Sequence, residues 1–498
     1  MWYTSLVTTS TNLAEALRRG YEHALDQPFL VTPGRRASTY RETESLADAM
    51  AGALVAHGVA TGDRVVAKTA KSPEAIALYL ACLRLGAVYV PLNPGFTAAE
   101  QQFFVDDAEP SVFVNEPGDE PQGRVATLTL GADGDGSLIA AADAATPRSE
   151  IVPTGADDTV VMLYTSGTTG RSKGAMLTNR GLLANGRALH DSWGFTPHDV
   201  LLHPLPIFHA HGLFVAMHCA MLSGCAVHFL PRFTVDAALD ELPACTVMMA
   251  VPTIYSRLLA DERFDAGTCA AVRLFTSGSA PMTAQVHEAF TSRTGHRILE
   301  RYGMTEAGMI TSNPLDGARV PGTVGFALPG YEVRVATDEG PCAPEETGVV
   351  EIRGPHLFSG YWKLPDRTAE EFRPDGFFVT GDVGTMDREG RLTLQGRSGD
   401  MIISGGENIY PKEIEQCLDS CAGIEESAVI GVPHADFGET VVAFLVTNDD
   451  YDPGLVASQV HESLARFKHP RRYELVEELP RNAMGKIQKR LLRERASS

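Results

Sequence analysis

The segment that most constrains this chain is a short apolar run followed at once by a loop of small polar residues. Val160 to Leu163 are all apolar, which predicts a buried strand. The next eleven residues, YTSGTTGRSKG, are rich in Gly, Ser and Thr and contain one lysine, Lys173. Glycines let the backbone approach an anion, hydroxyl groups donate hydrogen bonds, and lysine brings a positive charge. The segment therefore predicts a polyphosphate-binding loop behind a buried strand.

Two other interpretations of this loop are less favourable. A Walker A loop requires Gly-x-x-x-x-Gly-Lys followed by Ser or Thr, whereas Lys173 follows Ser172 and precedes Gly174. A flexible Gly/Ser/Thr linker is the second alternative. Linkers seldom begin directly behind a strand or end on a single lysine, so we favour phosphate binding.

Length and composition limit the class of protein. A chain of 498 residues is too long for one ordinary core and predicts two or more folding units. A net charge of -21 argues against a nucleic-acid or anionic-membrane partner. No apolar run is long enough to cross a bilayer, and the first twenty residues do not resemble a secretory signal, so we expect a cytoplasmic protein. None of the eight cysteines forms a Cys-x-x-Cys pair, which argues against a zinc ribbon or a disulfide framework.

The order of predicted elements indicates an α/β protein. Helix-like and strand-like segments alternate from residue 12 to about residue 330. Ligands of open α/β sheets bind at the carboxyl ends of the strands, so several loops should meet in one crevice. The segment from Asn115 to Gly136 is rich in Gly, Asp, Glu and Pro, and we expect a surface loop there.

Two changes of pattern divide the rest of the chain. From Tyr331 to Gln395 short alternating strands predict a small β-barrel or sheet. A Gly-rich break at 396–400 then precedes a fresh set of elements. We therefore predict a large N-terminal domain of doubly wound α/β sheets with a β-barrel-like subdomain (1–397) and a small mobile α+β domain (398–498).

Four further motifs follow the phosphate loop in order: LERYGMTE (299–306), VTGDVG (379–384), GRSGDMIISGGENIYP (396–411) and PRNAMGKIQK (480–489). Together with YTSGTTGRSKG they resemble the signatures of the adenylate-forming enzymes, which include acyl- and aryl-CoA synthetases, peptide-synthetase adenylation domains and beetle luciferases. The resemblance covers about residues 12 to 495. It implies that a carboxylate attacks the α-phosphate of MgATP to give an acyl-adenylate and pyrophosphate, and that the CoA thiol then displaces AMP.

The resemblance also implies roles for individual residues. Those implied for ATP or AMP binding are Thr165, Ser166, Gly167, Thr168, Thr169, Lys173, Ser279, Ala280, Tyr302, Thr305, Asp382 and Arg397. Those implied for catalysis are Lys486, Thr305 and Glu306, with Glu306 also the magnesium ligand, and those implied for CoA binding are Ser404, Gly405 and Gly406. Rotation of the small domain would bring Lys486 to the first half-reaction and the Gly405 loop to the second. Gly399 stands where much of the family has Asp or Lys as the hinge.

The choice of acid rests on an arginine. Arg301 precedes the Tyr of YGMTE, where relatives that use aromatic or fatty acids usually have a small residue. Neighbours on a strand point to opposite faces, so Glu300 is badly placed to neutralise Arg301. A buried guanidinium requires an anionic partner, and a second carboxylate on the substrate would supply one. Arg232 and His209 are further candidates. LERYGMTE, PIFHAHGL and RVPGTVGFALPG together resemble the malonyl-CoA synthetases in particular, which implies malonate as substrate and methylmalonate as a second candidate.

Other interpretations stay open at this point. Arg301 could pair with an acid of the protein or with an ATP phosphate. The enzyme could be a CoA ligase for another short or aryl monocarboxylate, or could load a carrier protein that acts in trans. An inactive nucleotide-binding relative is disfavoured by the presence of Lys173, Glu306, Asp382 and Lys486. His209 and His211 form an H-x-H, but no further zinc ligand accompanies them.

Overall fold

The residues that the structure describes form four β-sheets covered by helices. The structure is a computed structural model and describes residues 11–119, 125–166, 172–280, 282–404, 407–434, 438–482 and 485–496. Numbered along the chain, the helices are α1 (Leu13–Tyr21), α2 (Tyr40–Ala56), α3 (Pro73–Leu85), α4 (Ala98–Ala108), α5 (Ser137–Ala144), α6 (Asn179–Ser192), α7 (Met217–Ser223), α8 (Val235–Glu241), α9 (Pro252–Leu259), α10 (Ala284–Thr294), α11 (Pro365–Glu370), α12 (Pro411–Asp419), α13 (Pro453–Ser463) and α14 (Lys489–Ala496). No helix in these ranges is both long and apolar enough to span a membrane.

The first sheet has nine strands and carries most of the residues predicted to contact the acid. In spatial order the strands are β15 (Phe326–Ala327), β14 (Gly308–Ser312), β13 (Leu299–Met304), β12 (Leu274–Ser277), β11 (Val247–Ala250), β9 (Val200–His203), β10 (Ala226–Phe229), β1 (Pro28–Val31) and β2 (Ser38–Thr39). The strands from β13 to β1 are parallel. Their carboxyl ends therefore open on one edge of the sheet, where the side chains of different loops can meet.

The second sheet has seven strands and carries the phosphate loop. In spatial order they are β19 (Gly360–Tyr361), β8 (Ser172–Thr178), β7 (Thr159–Ser166), β4 (Val88–Pro91), β3 (Arg64–Ala67), β5 (Val112–Asn115) and β6 (Ala126–Thr129). The prediction of a surface loop from Asn115 to Gly136 was wrong in one respect, because this segment contains the strand β6, which pairs in parallel with β5. β6 has only four residues at the edge of the sheet, and the Gly- and Pro-rich residues around it hid its pattern.

The helix α3 lies between the two sheets and is buried along almost its whole length. Ser72 caps its first turn and Pro73 occupies its first position, while Gly86 ends it in a left-handed conformation with φ of 65°. Residues 75–85 are all buried, which explains why they are apolar on nearly every side, and the exception, Arg84, forms ion pairs with Glu44 and Asp48. The Tyr79 ring packs against Phe214 and His218 beside the first sheet. The segment before α3 is therefore held next to both sheets.

The remaining sheets follow the predicted change of pattern. The third has five antiparallel strands, in the order β17 (Gly340–Pro341), β16 (Glu332–Thr337), β18 (Gly348–Arg353), β20 (Phe378–Met386) and β21 (Leu392–Arg397). The fourth contains β23 (Glu407–Ile409), β22 (Ile402–Ser404), β25 (Gly438–Thr447), β24 (Ile424–His434) and β26 (Arg472–Leu475). The helix α12 packs on β24, and this sheet and its helices share a separate apolar core. The predicted α/β class, with a large N-terminal and a small C-terminal domain, is confirmed. The domain limit after Arg397 falls between β21 and β22 and stays a prediction.

Candidate active site

The predicted phosphate loop joins two antiparallel strands. Thr165 of β7 faces Lys173 of β8 in the strand register, and Ser166 ends β7. A Walker A loop instead runs from a strand into a helix, so this hairpin agrees with the exclusion made from the sequence. The predictions for Gly167, Thr168 and Thr169 concern residues outside the described part of the chain.

Lys173 is at the centre of a polar network. Its ammonium nitrogen lies 3.2 Å from Glu371 Oε1 and 3.9 Å from the centre of the Tyr361 ring. The Tyr361 hydroxyl oxygen lies 2.9 Å from Glu306 Oε1 and 2.8 Å from Glu371 Oε2. A hydroxyl has one proton and can donate it to only one of the two carboxylates. The other carboxylate is therefore satisfied only when it carries a proton itself or meets a cation.

Glu306 is the more buried of these two acids. It lies in the turn between β13 and β14, directly after the half-buried Thr305, and its residue surface is 7% exposed. Burial raises the pKa of Glu306, and the negative charge of Glu371 adds to the rise. A divalent cation would relieve both effects, so the position of Glu306 fits a ligand of a hard cation. Within the described ranges no cluster of three or more His, Cys, Asp or Glu side chains has the geometry of a metal site.

The residues predicted to bind the nucleoside form a second cluster. The Tyr302 hydroxyl donates a hydrogen bond to Asp382 Oδ2, and Arg397 Nε donates one to Asp382 Oδ1 at 2.9 Å. Asp382 of β20 and Arg397 of β21 are direct partners in the strand register. Burial and the charge of Asp382 hold the pKa of Tyr302 well above its usual value, so the phenol stays a donor. Strand pairing thus brings together three residues that the sequence separates by up to about a hundred positions.

Lys486 reaches the same cluster from the C-terminal part of the chain. Burial lowers the pKa of Lys486, and the positive charge of Arg397 lowers it further, while Asp382 and Asp400 act in the opposite direction. The loop before it fits closely against α9, since a Cβ atom on Gly485 would lie 2.7 Å from Thr253 Oγ1. The charges of Arg397 and Asp382 therefore act on Lys486, which is consistent with a position near the Tyr302 cluster.

Three other predicted contacts lie at loop positions. Ser279 follows β12 with a φ of 69°, which is rare for a residue other than glycine, and its hydroxyl oxygen lies 3.3 Å from His211 Nδ1. Ala280 comes next and is half-buried. Ser404 ends β22, where it pairs with Gly438 of β25. The predictions for Gly405 and Gly406 lie outside the described residues.

Arg301 is a buried cation without a hydrogen-bond partner in the described part of the chain. Its residue surface is 3% exposed, and none of its three guanidinium nitrogens has a hydrogen-bond partner among the described residues. The guanidinium packs on backbone, because a Cβ atom on Gly278 would lie 2.4 Å from Arg301 Nη1. Burial lowers the pKa of Arg301 to about 9, so the group is still charged at neutral pH. An unpaired buried charge is costly, which indicates that Arg301 is kept for an anionic ligand.

Further buried polar atoms in the loops and strands assigned to the acid site lack partners among the described residues, and one of these groups, His211, feels the charge of Arg301. His209 Nε2, His211 Nε2 and Ser277 Oγ are buried and make no hydrogen bond to any described residue. Burial lowers the pKa of His209 to about 4, and it lowers that of His211 with an added contribution from the charge of Arg301. Both imidazoles are therefore neutral. A guanidinium beside neutral polar groups, with no carboxylate to pair with it, suits a planar carboxylate ligand.

Two other charged residues, Glu300 and Arg232, do not contact Arg301. Glu300 accepts a hydrogen bond from the Gly322 backbone N–H at 3.0 Å and does not meet Arg301, in line with the alternation of faces along β13. Arg232 is exposed and follows β10, which is four strands from β13. At ~4.8 Å per strand this spacing is roughly 19 Å. The structure does not bring Arg232 to Arg301, and contact of Arg232 with the acid stays a prediction.

Sequence reasoning missed Tyr361, Glu371 and the part played by His211. Glu371 lies 198 positions from Lys173 and follows a short acidic helix that reads as an ordinary surface segment. His211 was considered only as a metal ligand. The signal that could have found it is the sequence proximity of His209 and His211 in a segment already assigned to the acid pocket.

Comparisons with known proteins show the family of this chain. Residues 17–362 match the AMP-binding enzyme family, and residues 413–486 match the AMP-binding enzyme C-terminal domain. The chain belongs to the AMP-binding enzymes. The mitochondrial malonate–CoA ligase ACSF3 of Mus musculus is 36% identical over 82% of this chain and 77% of its own. An indoleacetate–CoA ligase of Aromatoleum aromaticum is 34% identical over 91% of this chain and 92% of its own.

Solved structures agree with this AMP-binding assignment. The crystal structure of ATP-bound MatB from Rhodopseudomonas palustris has a TM-score of 0.93 and 46% sequence identity, covering 97% of this chain and 99% of that one. Malonate–CoA ligases are therefore among the relatives, and so are CoA ligases for other acids. The family supports an AMP-forming CoA ligase with ATP and CoA as substrates, and the choice of acid must be argued from the site.

Proposed function

We propose that this AMP-binding enzyme is an ATP-dependent malonate–CoA ligase. It converts malonate and ATP to malonyl-adenylate and pyrophosphate, and then transfers the malonyl group to CoA with release of AMP. The observation that carries the choice of acid is the buried guanidinium of Arg301, which has no partner among the described residues. Malonate brings two carboxylates, so one can react while the other pairs with Arg301.

The role assigned to Arg301 follows from charge and geometry. The group is a cation at neutral pH, and its planar fork matches a carboxylate with two parallel hydrogen bonds. His209 and His211 are neutral, and their unpaired Nε2 atoms offer further hydrogen bonds without adding charge. A monocarboxylate with an apolar tail would leave all of these groups unsatisfied. The site therefore favours malonate, with methylmalonate as the second candidate because it adds only a methyl group.

In the first half-reaction the nonreacting parts of ATP bind to two clusters. Asp382 can accept hydrogen bonds from two ribose hydroxyls, and Tyr302 lies beside it to pack on the base. Lys173 and the hydroxyls of Thr165 and Ser166 would hold the phosphates. To bind the phosphates, the Lys173 side chain would give up its ion pair with Glu371. The new ion pair with the phosphates would replace it. Thr305, in the turn after β13, would donate its hydroxyl hydrogen to the α-phosphate.

Glu306 is the residue that fits a magnesium ligand. Its buried carboxylate accepts a hydrogen bond from Tyr361, and burial and the charge of Glu371 raise its pKa, so a bound cation would stabilise its charged form. Glu306 would hold a magnesium ion, which would supply positive charge to offset the negative charge that develops during adenylation. Glu371 would then retain the hydrogen bond from Tyr361, which removes the competition of two carboxylates for one proton.

Lys486 is the group proposed to act on the reacting centre. Its ammonium can bind both the attacking carboxylate and the α-phosphate, whose negative charges repel one another. Its proximity to Asp382 and Arg397 supports a conformation suited to the adenylation step. The segment with Ser404, Gly405 and Gly406 is proposed to contact CoA in the second step, after rotation of the small domain.

The test is formation of CoA thioesters from MgATP, CoA and a panel of acids: acetate, propionate, malonate, methylmalonate, succinate and one aryl acid. We expect malonate to have the highest kcat/KM and methylmalonate to follow. Preference for a monocarboxylate would overturn malonate as the substrate while keeping the CoA ligase. Adenylate formation without transfer to free CoA would instead support a carrier protein as the acceptor.

A further inference from the structure

Lys71 is a partly buried cation that contacts His203, at the end of the strand before the segment that carries His209 and His211 (the histidine segment). Lys71 precedes α3, and its ammonium lies 2.8 Å from His203 Nδ1, 2.7 Å from the His203 carbonyl oxygen and 4.3 Å from the centre of the Phe229 ring. Burial holds the pKa of Lys71 well below its usual value. Within the described ranges no carboxylate lies within ion-pair distance of it, so hydrogen bonds to His203 account for its polar contacts.

The partners of His203 fix which ring nitrogen carries the proton. His203 Nε2 lies 2.8 Å from the Gly212 carbonyl oxygen. A carbonyl can only accept, so Nε2 must be the donor, and a neutral ring then has Nδ1 free to accept from the Lys71 ammonium. Burial and the charge of Lys71 both lower the pKa of His203, which keeps the ring neutral. The three groups form a one-directional chain of hydrogen bonds from Lys71 through His203 to Gly212.

The chain ends on the segment that carries the acid-binding histidines. Residues His211–Ala216 form one turn of π-helix, an uncommon element that often marks a functional site. Gly212 is tightly held in this turn, since a Cβ atom there would lie 2.0 Å from the Pro206 carbonyl oxygen. The residue before it is His211, whose Nδ1 meets Ser279 and whose Nε2 is unpaired near Arg301. A shift of Gly212 would therefore move His211 directly.

We propose that Lys71 is a positioning residue for the acid site: by donating to His203 Nδ1 it holds His203 as the Nε2–H tautomer, which anchors Gly212 and so aims His209 and His211 at the carboxylate bound by Arg301. Only the identity of that carboxylate rests on the proposed function. Lys71 touches neither substrate nor nucleotide in this account. Its effect on the reaction passes through the histidine segment.

Replacing Lys71 by methionine keeps the volume and removes the donor. His203 Nδ1 then has no hydrogen-bond donor, and the ring keeps only one of the two contacts that favour the Nε2–H tautomer, the bond to the Gly212 carbonyl oxygen. We expect Lys71→Met to raise KM for malonate on the order of tenfold, the usual effect of losing one hydrogen bond to a charged group. KM for ATP and the rate of thioester formation from supplied malonyl-adenylate should stay near their wild-type values. Lys71→Arg retains a donor and should restore part of the lost affinity.

Lys68 provides a matched control from the same segment. It is a buried lysine, but it forms an ion pair of 2.7 Å with Asp119 and does not contact the histidines. Lys68→Met should lower thermal stability as much as Lys71→Met or more, with KM for malonate unchanged. An equal rise in KM in both variants would show that loss of stability, rather than the hydrogen-bond chain, explains the effect.

The tautomer of His203 gives a direct readout that does not depend on activity. Nitrogen NMR of protein labelled at histidine distinguishes a protonated from an unprotonated ring nitrogen, and the His203→Gln variant assigns the signals. In the wild type we expect protonated Nε2 and unprotonated Nδ1 for His203, and in Lys71→Met a mixture of tautomers. An unchanged tautomer together with an unchanged KM for the acid would overturn the proposal.

The same measurements separate this inference from the proposed function. If the wild-type enzyme prefers a monocarboxylate, malonate is wrong as the substrate, and the Lys71 chain is still tested by KM for the preferred acid and by the His203 tautomer. If malonate is preferred and Lys71→Met leaves both readouts unchanged, the proposed function stands and the positioning role falls.

Discussion

Replacement of Arg301 by methionine should have opposite effects on catalysis and on stability. The guanidinium is buried and unpaired in the free protein, so it opposes folding, but it supplies the main attraction for the second carboxylate of the substrate. Methionine fills a similar volume without charge. We therefore expect a more stable protein that has lost its preference for malonate.

The magnitudes can be worked from the site. Breaking a buried, hydrogen-bonded charge pair costs about 3–5 kcal/mol, which at ~1.4 kcal/mol per factor of ten is a loss of roughly 10²–10³ in kcat/KM for malonate. The kcat/KM for propionate should change by less than about tenfold, since propionate has no second carboxylate. For stability, burial lowers the pKa of Arg301 to about 9, and the size of this fall sets an upper bound of roughly 5 kcal/mol. Replacing an unfavourable buried charge by an apolar side chain commonly gains about 1–4 kcal/mol.

Two assays check these values. Initial rates of thioester formation give kcat/KM for each acid, and thermal unfolding of the free protein gives the change in stability. At ~2.1 cal/mol/K per residue, a chain of 498 residues has an unfolding entropy of about 1 kcal/mol/K, so the gain corresponds to about 1–4 °C. Arg84→Met is the matched control, because Arg84 is equally buried but forms ion pairs with Glu44 and Asp48 and should destabilise when replaced. Equal losses of kcat/KM for malonate and propionate in Arg301→Met would refute the assignment of Arg301.

Three further predictions concern other parts of the site. Lys486→Ala should abolish adenylation, measured as ATP–pyrophosphate exchange, and leave thioester formation from supplied malonyl-adenylate largely intact. The control is Lys489→Ala, which removes a lysine paired with Glu415 and should leave the exchange active. Loss of both half-reactions in Lys486→Ala would contradict the division of roles. Glu306→Gln should raise the magnesium concentration for half-maximal exchange by about tenfold or more, because a neutral amide is a weaker ligand than a carboxylate, and an unchanged magnesium requirement would exclude Glu306 as the ligand. Burial lowers the pKa of His356 to about 3, far below its value of about 6.5 in an unfolded chain, so the unfolded state binds more protons between these values and stability falls as pH falls below about 6.5. His356→Phe should therefore reduce the pH dependence of the unfolding free energy by up to ~1.4 kcal/mol per pH unit between about pH 3 and 6.5. Urea unfolding at several pH values measures this dependence, and an unchanged dependence would show that His356 does not titrate in this range.

The sequence predicted the parts of this site that depend on local pattern. The strand before the phosphate loop, the short strands of the third sheet and the α/β order all follow from the periodicity of apolar residues and from Gly and Pro. The isolation of Arg301 from Glu300 could also be predicted, because alternate residues of a strand face opposite sides whatever the rest of the fold does.

The parts that sequence could not predict depend on contacts between distant segments. Glu371 meets Lys173 across 198 positions, and Lys71 meets His203 across 132, and no local pattern records such pairs. The strand β6 was missed because a four-residue edge strand carries little periodic signal and owes its form to pairing with β5. The distance of Arg232 from Arg301 also depends on the strand order, which the sequence does not reveal, and contact of Arg232 with the acid stays a prediction.

Competition between two acids tests the central claim most directly. The enzyme is given MgATP, CoA and an equimolar mixture of malonate and propionate, and the ratio of the two thioesters is measured by mass spectrometry for wild type and for Arg301→Met. The account predicts a large excess of malonyl-CoA from the wild type and a ratio that falls by roughly 10²-fold or more in the variant. A wild-type ratio near one, or a ratio that does not change on loss of the guanidinium, would contradict recognition of a second carboxylate by Arg301.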